Sequence, residues 1–232
     1  MKLAQVRVRS ASRGRFERGN EIIEFALFGA VLAPMMMWVF VAGMNLIRTN
    51  QCWEITRAVG KLYISGVDFS TYQAQQIAAR LGSAYGLQIG SSFTGNNAAN
   101  DLNGGNGYVV LSEIMFVGTA SCASLAAGIT CVNQNHYVFL QRVDFGNKNL
   151  QINGSTVQSA IGSPTGATLT APGKVQNYLT DTHAAASNVG NYLTTQLADG
   201  QIAYVVEVWF SSPSLASFSA TLGSGVHSLQ FI

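Results

Sequence analysis

The residue types that most often carry catalysis or bind metal ions are few and scattered in this sequence of 232 residues. His136, His183 and His227 share no ligand spacing, and the sequence has neither a nucleophile elbow nor a phosphate-binding loop. The Gly/Asn-rich run at 95–107 is not a dinucleotide fingerprint, because no strand precedes it and no helix plainly follows it. We therefore expect a protein that is not an enzyme and that holds no metal ion and no cofactor.

Three carboxylates lie in contexts that could serve chemistry. Asp68 begins the run DFSTY, which matches the start of the metal-adhesion motif D-x-S-x-S, but Tyr72 stands where the motif has its last Ser. We therefore assign no Mg²⁺ site there. Glu113 and Glu207 lie inside apolar strand-like runs, where the two-residue alternation of a strand could place either on a solvent face. Nothing in their spacing pairs them as a general acid and a general base.

The three cysteines have separate interpretations. Cys122 and Cys131 enclose a short loop, CASLAAGITC, which in an oxidising compartment is typical of a disulfide, with two free thiols as the alternative. No CxxC and no histidine spacing typical of a metal site surrounds them. Cys52 is left over, either as a buried unpaired residue or as an intermolecular contact.

A long apolar stretch near the N-terminus must position everything that follows it. No charged or strongly polar side chain occurs between Phe25 and Met44. As a helix these residues would span about 30 Å, which is the thickness of one hydrocarbon core. The stretch predicts a transmembrane helix, and the alternative is a buried core helix.

The distribution of charge orients this helix. Six of the 13 basic residues precede Gly19, where only Glu17 opposes them. A basic flank of this kind is cytoplasmic by the positive-inside rule, so the chain after Arg48 is expected outside. The remaining chain is slightly acidic, which argues against nucleic-acid binding. Charged residues form only 10% of the chain, against about 25% in ordinary soluble domains, and this favours an extracytoplasmic location.

The remaining pattern predicts an α+β fold. Apolar spacing predicts helices over about 20–62 and 70–85. Four strand-like runs occur at 108–117, 136–145, 202–210 and 226–232. The first two could pair as a hairpin that is bridged at its connection. Residues 91–107 and 146–173 are expected to be loops, and residues 174–179 a short helical turn.

These elements predict a chain of four parts. We expect a basic leader at 1–19, a transmembrane helix at 20–48, an extended amphipathic helical region at 49–88 and an external β-rich domain at 89–232. In the external domain, a small antiparallel sheet would pack on the extended N-terminal helix.

The most specific motif lies where the leader meets the apolar stretch. Residues 18–26 read RGNEIIEFA, so that Gly19 is followed by four residues and then by Glu24 and Phe25. This arrangement resembles the class III signal of prepilins, and its details resemble the TadE family of pseudopilins of tight-adherence (Flp) pilus systems. The resemblance extends over about residues 18–60, and the run YVVEVWF at 204–210 is similar to a late strand of that family.

The resemblance implies a function in pilus assembly and a pilin-like fold. A membrane aspartic prepilin peptidase would cleave between Gly19 and Asn20, and Glu24 with Phe25 would serve assembly through a pairing of Glu24 with the N-terminal amine of another subunit. The implied partners are that peptidase, other pilins and pseudopilins, the Tad inner-membrane platform and membrane lipid, in a bacterial inner membrane crossed once.

Two alternatives to the pilin function remain. In one of them Glu24 merely reaches the lipid headgroups, and the protein is an uncleaved single-pass adhesin or envelope assembly factor. In the other the protein is an envelope enzyme whose site the sequence does not reveal.

Overall fold

The computed structural model describes residues 14–90, 104–170, 173–211 and 225–232, with side chains from residue 22 onward. Its first element is a single long helix, α1, which covers Gly14–Ile64 and includes Pro34. The helix predicted over 20–62 is thereby confirmed. Most of the predicted leader lies outside the described residues. The chain divides into two compact units between Met44 and Asn45, so that α1 contributes to both of them.

The part of α1 in the first unit exposes apolar side chains on every side. No residue from 22 to 40 is buried, and Phe25 and Trp38 are 78% and 63% exposed. Among the described residues, α1 is one helix that is long enough and apolar enough to cross a membrane, and its mean hydropathy is 2.1. A core helix of a soluble domain would instead bury most of its apolar side chains.

The part of α1 in the second unit is amphipathic. Cys52, Ile55, Val59 and Tyr63 follow one another at intervals of three or four residues and are all buried. This spacing places them on one face of the helix. The face packs against the sheet described below, where these residues belong to one apolar cluster with strand residues.

A second helix, α2, covers Tyr72–Ala84 and packs on the same side. The Thr71 hydroxyl caps its start by accepting a hydrogen bond from the Ala74 N–H at 3.4 Å. Its buried face consists of small residues, among them Ala78 and Gly82. A Cβ added at Gly82 would lie 2.9 Å from the Leu87 carbonyl oxygen, so this close approach requires glycine. The helix predicted over 70–85 is confirmed.

The second unit is built around a six-stranded antiparallel sheet with the order β5-β6-β2-β1-β7-β8. The strands are β1 (Gly107–Val117), β2 (His136–Gly146), β5 (Leu169–Thr170), β6 (Lys174–Val175), β7 (Ile202–Ser211) and β8 (Gly225–Phe231), and a separate small hairpin pairs β3 (Gln151–Ile152) with β4 (Ser155–Thr156). The four long strands match the four predicted runs, and β1 and β2 form the predicted hairpin. A short helix, α3 (Thr119–Ala123), lies in their connection. The α+β class is therefore shown.

Two predictions for the connection from β2 to β7 are wrong. Residues 146–173 are not loop alone, because they include β3, β4 and β5. The short helical turn predicted over 174–179 is a strand at Lys174–Val175 followed by a turn. Strands of two residues carry no readable pattern of their own, and their pairing depends on neighbours supplied by the tertiary fold.

Both faces of the sheet are covered. The residues of β1 and β7 that point toward the helices, such as Leu111 and Val208, join the cluster under α1 and α2. Alternate residues such as Ile114 and Val205 pack instead against the connection from β2 to β7, through Ile161 and other apolar side chains. The sequence predicted that helices cover one face of the sheet, but it did not predict that the connection from β2 to β7 covers the other face.

Candidate functional site

The predicted cleavage and assembly residues all lie on α1. The helical backbone passes through Gly19 and Asn20 without interruption. The side chains of Glu24 and Phe25 are exposed, and Glu24 makes no hydrogen bond or ion pair with any described side chain. Glu24 lies four positions after Asn20, so the two residues lie on one face of the helix about one turn apart.

The structure does not gather the three histidines. The ring of exposed His136 contacts the Gln134 carbonyl oxygen at 2.8 Å. His183 pairs with the Asp181 carboxylate two residues away, at 2.9 Å. His227 lies elsewhere, where it stacks on Trp209 with 4.6 Å between ring centroids. Within the described ranges, no group of three or more histidine, cysteine or acidic side chains could hold a metal ion.

The predicted disulfide between Cys122 and Cys131 is present, with 5.6 Å between the two Cα atoms. It joins α3 to the segment that leads into β2, and both cysteines contact an apolar cluster that contains Met115 and Val138. The exposed Asp199 carboxylate holds the start of α3 by accepting hydrogen bonds from the backbone N–H groups at its N-terminus. The disulfide therefore secures the connection of the β1–β2 hairpin.

Cys52 is a free and fully buried cysteine. Its thiol lies 3.5 Å from the Val208 carbonyl oxygen. Burial raises its pKa to about 12, and a hydrogen bond with Thr56 opposes this shift. Of the two interpretations that the sequence left open, the structure favours the buried unpaired residue.

The possibility that Glu207 faces solvent is wrong, because its side chain is fully buried. It points away from the helices, where the segment after β4 covers it. Its carboxyl group accepts hydrogen bonds from the Ser159 hydroxyl and, at 2.7 Å, from the Ala160 N–H. Arg142, on β2 and on the same face of the sheet as Glu207, donates to Ser159 at 3.2 Å and to the Gly162 carbonyl oxygen at 2.7 Å. These contacts fix the segment to the sheet.

Glu113 lies on the opposite face of the sheet and lines a cavity. It is half-buried, and this burial raises its pKa, while the charge of Lys174 opposes the shift. The cavity has a volume of about 410 Å³. Its wall consists of residues from α1, the turn after it and four strands: Tyr63, Gly66, Val67, Asp68, Glu113, Gln141, Lys174 and Tyr204. No sequence pattern pointed to this cavity, because it depends on the register of four strands.

Asp68 has a structural role that accounts for the partial metal-adhesion motif. Its Oδ1 accepts hydrogen bonds from the Ser70 N–H at 3.0 Å and from the Ser70 hydroxyl at 2.6 Å. These bonds from Ser70 lower the pKa of Asp68. The motif thus forms a local turn ahead of α2.

Comparisons with known proteins gave no match, whether to a family model, to a curated protein or to a solved structure. The resemblance to pseudopilins therefore rests on the residues at 18–60 and on the late strand at 204–210.

Proposed function

We propose that this protein is a TadE-like minor pilin or pseudopilin that takes part in assembly of a Tad/Flp-type pilus for surface adhesion or secretion. The observation that carries the proposal is the division of α1. Residues 22–40 of this helix are not buried on any side and contain Glu24 as their one charged residue, and the same helix ends as part of a folded core. Together with the RGNEIIEFA motif, this division favours a subunit that is stored in a membrane and then assembled.

The proposed cleavage between Gly19 and Asn20 fits the chemistry of the segment. Glycine has no side chain, so the scissile bond could approach a catalytic pair at the membrane surface. Cleavage would remove the six basic residues that precede Gly19 and would free the amine of Asn20. The apolar segment that starts after Glu24 would stay intact and would hold the mature protein in the membrane.

Glu24 would then act as the assembly residue. A lone carboxylate at the edge of a hydrocarbon core is costly, whereas a carboxylate paired with an ammonium group is much less so. Because the exposed Glu24 pairs with no described side chain, it is available to the N-terminal amine of another subunit. Phe25 and the exposed apolar residues after it would pack between subunits.

The test of cleavage is intact-mass spectrometry of the full chain coexpressed with a Tad prepilin peptidase. We expect a mature protein that begins at Asn20. Gly19→Val should block processing, whereas Gly29→Val should not, because a Cβ at Gly29 meets no atom within 4 Å. A wild-type chain that keeps residues 1–19 beside an active peptidase would refute the proposal and favour the uncleaved membrane-anchored adhesin or assembly factor.

The test of assembly separates Glu24 from cleavage. We expect Glu24→Gln to be processed normally but to be absent from sheared pilus fractions and from crosslinked complexes with other pilins. Glu54→Gln is the matched control, because Glu54 is also an exposed acid on α1 and lies in the second unit. Normal assembly of Glu24→Gln would contradict the role given to this carboxylate.

A further inference from the structure

A row of polar residues crosses the helix-covered face of the sheet. Glu113 on β1 pairs in register with Tyr204 on β7 and with Gln141 on β2. Gln141 in turn pairs with Lys174 on β6. Directly paired residues of adjacent strands point to the same face, so four neighbouring strands present these four side chains side by side.

Apolar residues lie on both sides of this row. Two positions before Glu113, Leu111 is fully buried in the cluster under the helices. Two positions after it, Met115 is buried in the cluster that holds the disulfide. The row therefore separates two apolar clusters on one face, where apolar side chains would have joined them. This interruption lowers the apolar area that the sheet face buries, so packing alone does not account for it.

The end of α1 leaves this row uncovered. The helix ends at Ile64, and the chain turns away through Gly66 at a φ of 84°. The cavity opens at this point. Tyr63, on the last turn of the helix, closes one side: its ring meets that of Tyr204 edge-on at 5.2 Å, and its hydroxyl lies 3.5 Å from Gln141 Oε1.

The charged groups of the cavity are of both signs. Glu113 and Asp68 are acidic and Lys174 is basic, and Lys174 is close enough to affect the titration of both acids. Neither Glu113 nor Lys174 makes a side-chain hydrogen bond or an ion pair with a described residue. Their polar atoms are therefore available to a ligand.

We propose that this cavity binds a neutral, hydroxyl-rich ligand of the small-saccharide class. Glu113 and Asp68 would repel an anion, and Lys174 partly neutralises these two acids, which weakens the attraction of the cavity for a cation. A saccharide instead offers hydroxyl groups that donate to carboxylates and accept from an ammonium group, and an apolar face that can lie on the ring of Tyr204. The cavity volume falls in the range of about 300–1,000 Å³ that is usual for small-molecule sites.

The test is saturation-transfer NMR on the full chain, with glucose, galactose, mannose and N-acetylglucosamine as probes. The detergent must carry no sugar, because a maltoside or glucoside would compete for the cavity. We expect at least one of these sugars to bind, and Glu113→Gln and Lys174→Gln to weaken its affinity about tenfold each, the effect of about 1.4 kcal/mol. Glu54→Gln, on exposed helix surface, should leave the affinity unchanged.

Inorganic phosphate and spermidine serve as charged competitors in the same experiment, and the binding of each is measured by the loss of the saturation-transfer signal of the sugar. Tighter binding of either than of the best sugar would overturn the proposal, and so would the absence of binding by all four sugars. A sugar whose affinity is the same in Glu113→Gln, Lys174→Gln and the wild type would also overturn it, because it would bind elsewhere. Circular dichroism of each variant verifies that it is folded.

The source of the saccharide is distinguished by a second pair of probes. A free sugar and the end of a saccharide chain present the same hydroxyl groups to the cavity. The best monosaccharide is therefore compared with a soluble oligosaccharide of the same sugar. Binding of either supports the site. The proposal is independent of the pilin function, since every wall residue lies in the second unit. Its failure would leave the cleavage experiment unaffected.

Discussion

Replacing Glu207 should test whether one buried carboxyl group holds the long connection onto the sheet. In the folded protein its two oxygens accept hydrogen bonds from the Ser159 hydroxyl and the Ala160 N–H. Arg142 reaches the same segment through Ser159 and Gly162. Glu207→Ala removes both acceptor oxygens at once. The Ser159 hydroxyl and the Ala160 N–H then lose their acceptors, and the cationic Arg142 loses the nearby carboxylate.

The expected magnitude follows from these contacts. A hydrogen bond to a charged group contributes about 1.5–3 kcal/mol to stability, so two of them correspond to about 3–6 kcal/mol. Breaking a buried ionic network by removing one partner typically costs about 3–5 kcal/mol. We expect Glu207→Ala to lower the free energy of unfolding by about 3–5 kcal/mol. Glu207→Gln keeps the shape and one acceptor, and it should cost less.

The same carboxyl group gives stability a pH dependence. Burial raises the pKa of Glu207 in the folded protein, and hydrogen bonds from Ser159 and Ala160 oppose that shift. In the unfolded chain this carboxyl titrates at its ordinary pKa of about 4.3. As the pH rises from there to the raised pKa, the unfolded state loses the proton first, so the free energy of unfolding falls. Glu207→Gln lacks this effect, so its deficit relative to the wild type should shrink as the pH rises through that window.

Urea unfolding followed by the fluorescence of Trp209 measures both effects. Trp209 is 4% exposed and lies two residues from Glu207, whereas Trp38 and Trp53 are exposed and can be replaced by Phe in every variant. Glu54→Ala is the control, and as an exposed substitution it should change stability by less than about 0.5 kcal/mol. A loss below about 1 kcal/mol in Glu207→Ala would refute the reasoning. A deficit of Glu207→Gln that stays constant with pH would refute the assigned titration.

Two further predictions concern the cysteines. Replacing Cys122 and Cys131 together by Ser should lower the free energy of unfolding by about 2.5 kcal/mol, which is the chain-entropy value for a loop of this length. A reductant should destabilise the wild type by the same amount. It should leave the stability of the double variant unchanged. Cys52 should resist maleimide in the native protein and react in urea, because it is buried and its pKa is about 12. Glu54→Cys, at an exposed position, should react at once, and native labelling of Cys52 at that rate would contradict its burial.

Local patterns in the sequence predict much of this fold. The extent of α1 follows from apolar spacing, and the long strands follow from runs of β-branched and aromatic residues. Cys122 and Cys131 are nine positions apart, and this short loop together with an expected oxidising compartment allowed their pairing to be inferred. The hairpin that they bridge was predicted for the same reason, since its two strands are neighbours in sequence.

Interactions between distant segments could not be predicted in this way. Alternation shows that Glu207 and Val208 point to opposite faces of β7, but not that an irregular connection covers the face of Glu207. The polar row at Glu113 depends on register, which shifts between Glu113 and Ile114 where β2 carries an extra residue. A slip of one residue would move Gln141 to the other face and dismantle the row.

The scarcity of charge makes the remaining charges informative. Charged residues form 10% of the chain, and several of them have a structural role: Glu207 and Arg142 hold the connection, and Asp199 caps α3. Glu113 and Lys174 have no such role among the described residues, yet they lie in one row beside a cavity. Burial disfavours the charged form of Glu113 more than the charge of Lys174 favours it, as the raised pKa of Glu113 shows. An apolar pair at these two positions would have joined the clusters on either side of the row, so this pair is better explained by binding than by folding.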